Sequence, residues 1–228
     1  IHSHYWSSGL VGAKLSYMWN VPHVTTFHTL GQSKFRMSPV VPGIDKRIQA
    51  ESRISRSADI IVASSKDELR LLRSLSGSLT KKIQIIPPGV DTKIFKPKPK
   101  DTALPQLQIT GKKLLLFVGR LDPVKGLEIL IRALPIMENR DNIHLIIAGG
   151  ELPNGTLGQS LCSLAQVLKV DNLMTMLGPI EHEALANYYI AADVLVLPSY
   201  HESFDLAALE AMSCGTPIVA ARVGGLRY

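Results

Sequence analysis

Short apolar runs alternate with longer mixed segments along the whole chain. The short runs are rich in Val, Ile and Leu, which predicts strands at 23–29, 59–65, 82–86, 113–118, 144–148, 173–177, 194–197 and 217–221, after a strand end at 1–6. The segments between them predict helices at 9–19, 45–57, 66–75, 126–137, 157–168, 182–191 and 204–212. Because strands alternate with helices in both halves, the pattern predicts parallel sheets with helices on both faces, which is an α/β fold.

Local signals set several helix ends. Pro22 excludes continuation of the first helix, and Ser65 with Glu68 three positions later is the pattern of a capping box. Residues 214–217, Cys-Gly-Thr-Pro, stop the last helix. The helix at 45–57 is expected to carry its charged residues on its polar side: Asp45, Arg47, Glu51 and Arg53.

The alternation stops at residues 91–111. This stretch is charged and broken by prolines, with Lys at 93, 96, 98 and 100. It predicts an interdomain linker between one domain at 1–90 and a second at 112–228. The alternative is a long surface loop inside a single domain.

The composition of the chain limits the classes of binding partner and the cellular compartment that we expect. A net charge of +6 suits anionic ligands such as sugar nucleotides, and it would also suit peripheral contact with an anionic membrane face. The basic residues are scattered and no binding motif accompanies them, so nucleic acid is not expected as a partner. Cys162 and Cys214 are no disulfide framework and fit a reducing, cytoplasmic compartment. No apolar run reaches membrane-spanning length and no signal peptide is visible.

The two ends of the chain do not look like domain boundaries. The sequence starts at Ile1, without Met, directly on strand-like residues, and it stops shortly after Gly224-Gly225. We therefore expect an internal segment of a longer enzyme, with both domains truncated. The sequence leaves the oligomeric state open.

Two glutamates follow the strand at 194–197. Glu202 lies in the loop at the carboxyl end of that strand, and Glu210 lies about two turns into the next helix. Carboxyl ends of parallel strands are where open α/β sheets bind ligands, so these carboxylates could hold two hydroxyl-bearing parts of one elongated ligand. From spacing alone, the alternative is a solvated loop residue and a charge on a helix surface.

A glycine-bounded segment, Gly119 to Gly126, follows the strand at 113–118 and opens a helix. Free N–H groups at a helix start attract phosphate. Arg120 and Lys125 add a planar, bidentate cation and a point charge at that place. The alternative is an ordinary basic loop between a strand and a helix.

Four motifs together resemble the retaining glycosyltransferases of family GT4. They are Glu-x7-Glu followed by Ala-Met-x-Cys-Gly-Thr-Pro-x-Val, the Gly-Arg to Lys-Gly segment, His-x-His-Tyr-Trp-x-Ser-Gly at 2–9, and Thr-Phe-His-Thr-Leu at 26–30. The group includes enzymes similar to sucrose-phosphate synthase and to glycosyl-inositol-phosphate synthases. The resemblance implies a GT-B fold, with an acceptor domain followed by a donor domain, each Rossmann-like.

The resemblance also assigns roles to residues. Those implied in catalysis are His28, Arg120, Lys125 and Glu202. Those implied at the donor are Gly119, Arg120, Lys125, Ile180, Glu202, Phe204, Asp205, Leu206 and Glu210. Those implied at the acceptor are Tyr5, Thr29 and Arg47. His2 and His4 are expected to line the cleft without acting in catalysis, and His182 to lie near a helix start.

One position departs from the family pattern. Relatives usually have Phe-Gly-Leu where this chain has Phe204-Asp205-Leu206. Glycine lets backbone N–H groups approach the donor closely, whereas Asp adds bulk and a negative charge near the diphosphate. The exchange bears on donor affinity and on the choice of sugar.

The implied reaction moves a hexose from a nucleotide-diphosphate sugar, UDP-linked, to a hydroxyl acceptor such as a sugar phosphate or inositol phosphate, with retention. The nucleotide sugar is a co-substrate, and no cofactor is expected. The sequence has no Asp-x-Asp pair and no His/Cys ligand cluster, so no metal site is expected. Two alternatives remain: a non-catalytic module that binds sugar nucleotides, and a GT-B epimerase or phosphorylase.

Overall fold

The computed structural model describes residues 1–33, 42–76, 82–103, 112–150 and 155–228. The chain forms two compact units. The first contains Ile1–Pro88 together with His201–Phe204 and Val223–Tyr228, and the second contains Gly89–Tyr200 together with Asp205–Arg222. Part of the predicted linker, 104–111, lies outside the described residues, and Lys100–Thr102 form a 3₁₀ turn where no regular structure was expected.

The first unit is built on a four-stranded parallel sheet with the order β1-β2-β3-β4. Its strands are β1 (His2–His4), β2 (Val24–Thr26), β3 (Ile60–Ala63) and β4 (Ile83–Ile85). Its helices are α1 (Trp6–Trp19), α2 (Ile44–Ser57) and α3 (Lys66–Ser76). The parallel pairing follows the prediction, and every strand is shorter than the apolar run that predicted it.

The core of the first unit lies between the sheet and its helices. Its fully buried side chains include Phe27, Ile54, Ile61 and Leu72. Helix α1 approaches α2 through small residues, since a Cβ placed on Gly9 would lie 2.9 Å from Ile54 Cδ1. This close approach explains why the α1 sequence alternates apolar and small residues.

The capping box predicted at the start of α3 is present, with a shift of one residue. The Ser65 hydroxyl accepts a hydrogen bond from the Glu68 N–H at 3.2 Å. The Glu68 carboxylate reaches back to the N–H of Ser64, at 2.7 Å, one residue before the expected partner. Burial raises the pKa of Glu68, and the hydrogen bonds from Ser64 oppose that rise.

The second unit contains a five-stranded parallel sheet with the order β7-β6-β5-β8-β9. Its strands are β5 (Lys113–Val118), β6 (Ile143–Ala148), β7 (Met174–Gly178), β8 (Val194–Leu197) and β9 (Ile218–Ala220). Its helices are α4 (Leu127–Ala133), α5 (Thr156–Val167), α6 (Leu185–Ala191) and α7 (Leu206–Ser213). The strand order reverses between β5 and β8, which makes the carboxyl ends of these two strands a topological switch point.

Strand β5 is the centre of this sheet. Residues 114–118 are all buried, as expected for a parallel strand covered on both faces. Phe117 on β5 packs in one cluster with Ile131 of α4 and with Leu145 and Ile147 of β6. This cluster forms the core of the second unit and fixes the strands whose ends carry the candidate site.

Three predicted helices in the second unit are shorter than expected. Helix α4 ends at Ala133 and continues as a 3₁₀ turn over Leu134–Ile136, because Pro135 has no N–H for a helical hydrogen bond. Helix α6 starts at Leu185, after a turn at 182–184. Helix α7 starts at Leu206 because Asp205 is its N-cap. Within the described ranges, no helix is long and apolar enough to cross a membrane.

Candidate active site

Arg47 of α2 is the centre of a polar cluster at the carboxyl ends of β1 and β2. Its guanidinium donates to the Tyr5 hydroxyl at 3.1 Å, and to the backbone oxygen and the hydroxyl of Thr29 at 2.6 and 2.9 Å. The guanidinium also lies over the Tyr5 ring, 4.9 Å from its centroid. The three residues implied at the acceptor therefore meet in one cluster.

Glu51 holds the Arg47 guanidinium in this position. Its Oε1 accepts from Arg47 Nε at 2.7 Å, and both carboxylate oxygens accept from the N–H of Gly31, at 3.0 and 2.9 Å. Burial raises the pKa of Glu51, and the hydrogen bonds from Arg47 and Gly31 oppose that rise. Arg47 and Glu51, which were predicted to lie on the polar side of α2, are both buried there as an ion pair.

Three imidazoles lie together beside this cluster. His28 Nε2 is 2.9 Å from His4 Nδ1, and the two rings stack with centroids 5.1 Å apart. The His2 ring lies 4.3 Å from that of His4 and its Nε2 is 2.9 Å from the Thr26 hydroxyl. Burial lowers the pKa of His28, and the charges of His4 and His2 lower it further. A neutral His28 is therefore favoured, with one ring nitrogen free to accept a proton.

The backbone is strained at Tyr5 and at His28. Tyr5 has φ 73° and ψ 157°, and His28 has φ 61°. A non-glycine residue held at positive φ costs of order 1–3 kcal/mol, and such residues concentrate at functional sites. Two residues that the resemblance assigns to acceptor and catalysis are thus the strained ones in this unit's strand-end loops.

In the second unit, the loop after β5 carries the two predicted phosphate-binding cations. Arg120 is 77% exposed in its side chain, and its NH2 lies 3.5 Å from Asp122 Oδ2. Lys125 is 16% exposed in its side chain, and its Nζ lies 3.1 Å from Asp205 Oδ2. Each cation therefore has a carboxylate partner within its own unit.

The start of helix α4 differs from the prediction. A 3₁₀ turn at Pro123–Lys125 precedes it, and the Asp122 side chain accepts from the Val124 N–H at 3.1 Å. Gly126 then turns the chain into α4 with φ 66°, and a Cβ there would lie 2.2 Å from the backbone oxygen of Pro198. Glycine thus lets the loop after β5 press against the loop after β8 at the switch point.

Glu210 on α7 is buried and its carboxylate is held on both oxygens. Oε2 accepts from the Tyr189 hydroxyl at 2.7 Å, and Oε1 lies 2.8 Å from His182 Nε2. Burial and the adjacent Glu210 charge raise the pKa of Tyr189. Tyr189 is in turn fixed by Thr216, whose hydroxyl donates to its backbone oxygen at 2.6 Å. His182, expected only near a helix start, contacts the Glu210 carboxylate directly.

Glu202 belongs to the first unit, whereas Glu210 belongs to the second. Gly224 and Gly225 lie beside Glu202, since the Gly225 N–H donates to the Glu202 backbone oxygen at 2.8 Å. Gly224 has φ 45°, and a Cβ there would lie 1.8 Å from that same oxygen. The backbone of the Glu202 loop is therefore set by two glycines.

Two regions of the chain match families of known proteins. Residues 99–228 match the family described as Glycosyl transferases group 1, and residues 1–94 match Glycosyltransferase Family 4. The chain belongs to the group 1 glycosyl transferases. The resemblance drawn from the four motifs is thereby confirmed.

Several curated relatives of this glycosyl transferase share a name. The D-inositol 3-phosphate glycosyltransferase of Nocardiopsis dassonvillei is 39% identical over 99% of this chain and 55% of that protein. The protein of the same name from Acidothermus cellulolyticus is 40% identical over 99% of this chain and 52% of its own length. The chain spans about half the length of the curated relatives it matches.

Solved structures confirm the fold. Sucrose-phosphate synthase from Thermosynechococcus elongatus superposes with a TM-score of 0.86 at 35% identity, covering 100% of this chain and 57% of that one. HepE from Anabaena, solved with UDP and glucose, gives a TM-score of 0.85 at 23% identity, covering 99% of this chain and 60% of that one. The predicted α/β, GT-B architecture is therefore correct.

In this group 1 glycosyl transferase, the sequence predicted Arg47 and Glu210 as site residues. It did not predict the side chains that hold them, which are Glu51 for Arg47 and Tyr189 for Glu210. Glu51 could have been found from its i, i+4 spacing to Arg47, which is the spacing of a helical ion pair. Tyr189 carries no signal in the sequence that connects it to Glu210. Ile180 and Phe204 are half-buried and Leu206 is exposed, and their roles at the donor stay predictions.

Groups of three or more His, Cys, Asp or Glu side chains that could hold a metal ion do not occur among the residues the structure describes. Both cysteines are free, with Cys214 buried and Cys162 half-buried. The metal-independent reaction and the cytoplasmic location stay predictions.

Proposed function

We propose that the whole protein transfers a hexose from a UDP-linked sugar to a hydroxyl of a phosphate-bearing acceptor, with retention of anomeric configuration. The observation that carries the acceptor class is the buried Arg47 cluster, in which one fixed guanidinium lies between Tyr5 and Thr29. Glu51, Tyr5 and Thr29 occupy four of the five N–H donors of this guanidinium. The cluster would therefore offer a phosphate one remaining N–H together with the Tyr5 and Thr29 hydroxyls, and a sugar phosphate or inositol phosphate is the acceptor class we propose for it. Relatives named D-inositol 3-phosphate glycosyltransferase support the same class.

At the donor, the reaction breaks the bond between the sugar carbon and the diphosphate oxygen. Negative charge builds on the departing phosphate, and Arg120 and Lys125 would stabilise that charge. Interactions that strengthen in the transition state raise the rate, whereas those equally strong in the ground state do not. Two cations can serve this purpose without a metal ion or other cofactor.

The two glutamates would position the donor. Glu202 would hold the sugar and would not act as a nucleophile, and Glu210 would hold the ribose hydroxyls. Tyr189 and His182 each occupy one lone pair of the Glu210 carboxylate. Each carboxylate oxygen has a second lone pair, so Glu210 can still accept from ribose while its partners keep it in place.

His28 would lie beside the reacting centre in its neutral form. The neutral ring can donate a hydrogen bond to the acceptor or donor sugar through one nitrogen while the other contacts His4. The mechanism proposed for the whole protein is departure and attack on the same face of the sugar, with the leaving phosphate taking the acceptor proton.

A second candidate is a module that binds sugar nucleotides without transfer. The pairing of Lys125 with Asp205 favours it, because a carboxylate within 3.1 Å reduces the charge available to a leaving phosphate. This candidate predicts binding of UDP without turnover.

The deciding experiment is an acceptor screen on the whole protein. UDP-glucose, UDP-N-acetylglucosamine and GDP-mannose are each tested with inositol phosphates, with hexose phosphates and with the unphosphorylated sugars. We expect product with a UDP sugar and a phosphorylated acceptor, and little with the unphosphorylated acceptor. Binding of UDP with no product from any pair would contradict transfer and favour the binding module.

A further inference from the structure

Asp205 makes two contacts that a glycine in its place could not make. Its Oδ1 accepts from the Ala208 N–H at 3.3 Å and so caps helix α7. Its Oδ2 accepts from Lys125 Nζ at 3.1 Å. Both side chains are largely removed from water, with 4% of the Asp205 side chain and 16% of the Lys125 side chain exposed.

This ion pair differs from the other pair on the same loop. Arg120 and Asp122 are 3.5 Å apart with side chains 77% and 36% exposed, so water screens them and their attraction is weak. The Lys125–Asp205 pair is shorter and less exposed, so its electrostatic attraction is less screened. A phosphate that approaches Lys125 must therefore compete with a carboxylate already in contact.

We propose that Asp205 is a built-in competitor of the donor diphosphate for Lys125, which lowers the affinity for nucleoside diphosphates and speeds release of the diphosphate product. The proposal rests on the proposed function, in which Lys125 binds the diphosphate. Asp205 acts on the phosphate part of the ligand only, because its charge is directed at Lys125 and its other oxygen at the backbone of α7. The affinity for the nucleoside alone is unaffected.

The chain offers substitutions that separate the charge of Asp205 from its cap. Asp205→Asn and Asp205→Ser keep an oxygen that can accept from the Ala208 N–H, since Asn and Ser are good N-cap residues. Both remove the negative charge from Lys125. Asp171→Asn is the control, because it removes the same charge from an exposed position before β7, at the amino end of that strand.

The test is calorimetric titration of the whole protein with UDP and, separately, with uridine. We expect Asp205→Asn and Asp205→Ser to bind UDP about tenfold more tightly than wild type, as loss of a competing charge at this distance implies. Uridine affinity should stay within about twofold, and Asp171→Asn should match wild type for both ligands. In a Lys125→Met background, Asp205→Asn should tighten UDP binding less than it does in the wild type, since competition for the cation is gone and only direct repulsion between Asp205 and the phosphates remains.

Two results overturn the proposal while leaving the proposed function intact. One is unchanged or weaker UDP binding by folded Asp205→Asn and Asp205→Ser, which would make Asp205 a helix cap only. The other is equal tightening for UDP and uridine, which would place its effect away from the phosphates. If neither wild type nor any variant binds UDP, the proposed function fails and this inference fails with it.

Discussion

The two units treat their cations differently. In the first, Arg47 is buried, and its hydrogen bonds run to Glu51, Tyr5 and Thr29, so its direction is fixed before any ligand arrives. In the second, Arg120 is mostly exposed and its carboxylate partner is weakly bound. The difference teaches that an acceptor phosphate would meet a guanidinium that is already oriented, whereas a donor diphosphate would have to order the exposed Arg120 side chain when it binds.

Breaking the buried pair should give the largest effect. Glu51→Gln leaves the Arg47 charge in a buried site without its counter-ion, and such a loss costs about 3–5 kcal/mol of stability. Thermal or denaturant unfolding of the whole protein measures it. The control is Asp67→Asn, which removes the acid of the exposed Arg70–Asp67 pair of α3 and should hardly move the midpoint. Equal effects of both substitutions would show that burial of Arg47 and Glu51 carries no energetic weight.

Removing the donor cations should lower the rate, and Lys125→Ala should also lower stability because it leaves the buried Asp205 carboxylate without its counter-ion. Arg120→Ala and Lys125→Ala should each raise the activation free energy by about 2–4 kcal/mol, because each removes a positive charge that stabilises the leaving phosphate. This lowers turnover roughly 30-fold to 1,000-fold. Steady-state kinetics with a UDP sugar measures the loss. Arg140→Ala, an exposed cation of the same unit, is the control. Turnover within about tenfold of wild type for both site variants would contradict the proposed donor site.

The glycine at the switch point allows a finer test. Gly126→Ala must hold alanine at φ 66° and also place its Cβ 2.2 Å from the Pro198 oxygen. Gly43→Ala has the positive φ, at 76°, but no steric overlap, since nothing lies within 4 Å of the added Cβ. Positive φ alone costs about 1–2 kcal/mol, so Gly126→Ala should lower the unfolding midpoint clearly more than Gly43→Ala. Equal losses would mean that the loops after β5 and β8 are not pressed together.

The smallest expected effect is a pH dependence from His28. Its pKa is lowered in the folded state, so the unfolded chain binds more protons in the window between the lowered value and 6.5. Stability from this group is therefore complete above pH 6.5 and is lost as the pH falls through the lowered pKa. We expect His28→Asn to flatten the fall in melting temperature between pH 7 and 5. A steeper fall in the variant would contradict the sign.

The fold could be predicted because its signals are local. Strand β5 runs over the residues that the apolar pattern gave, and Pro135 explains where α4 stops. Apart from Glu51, whose spacing to Arg47 is local, the partners within the site could not be predicted, because they depend on contacts between distant parts of the chain. Arg47 reaches Tyr5 across 42 positions, and a pattern of charges on α2 contains no information about that partner.

The departure at Asp205 shows the same division. The sequence placed an extra carboxylate near the predicted diphosphate site, and the bulk and charge of Asp could be stated from the residue alone. Asp205 pairs with Lys125, which is 80 positions away along the chain, and it also caps α7. Both contacts become visible only in the folded structure.

Thr216 belongs to the Cys-Gly-Thr-Pro segment, which looks in the sequence like a simple helix stop. In the folded unit its hydroxyl holds the Tyr189 backbone, and the Tyr189 hydroxyl holds the Glu210 carboxylate. Thr216 thus takes part, through Tyr189, in fixing the direction of the Glu210 carboxylate. With Glu210 as the proposed ribose ligand, a substitution at Thr216 would impair ribose recognition while leaving every proposed ligand-binding side chain unchanged.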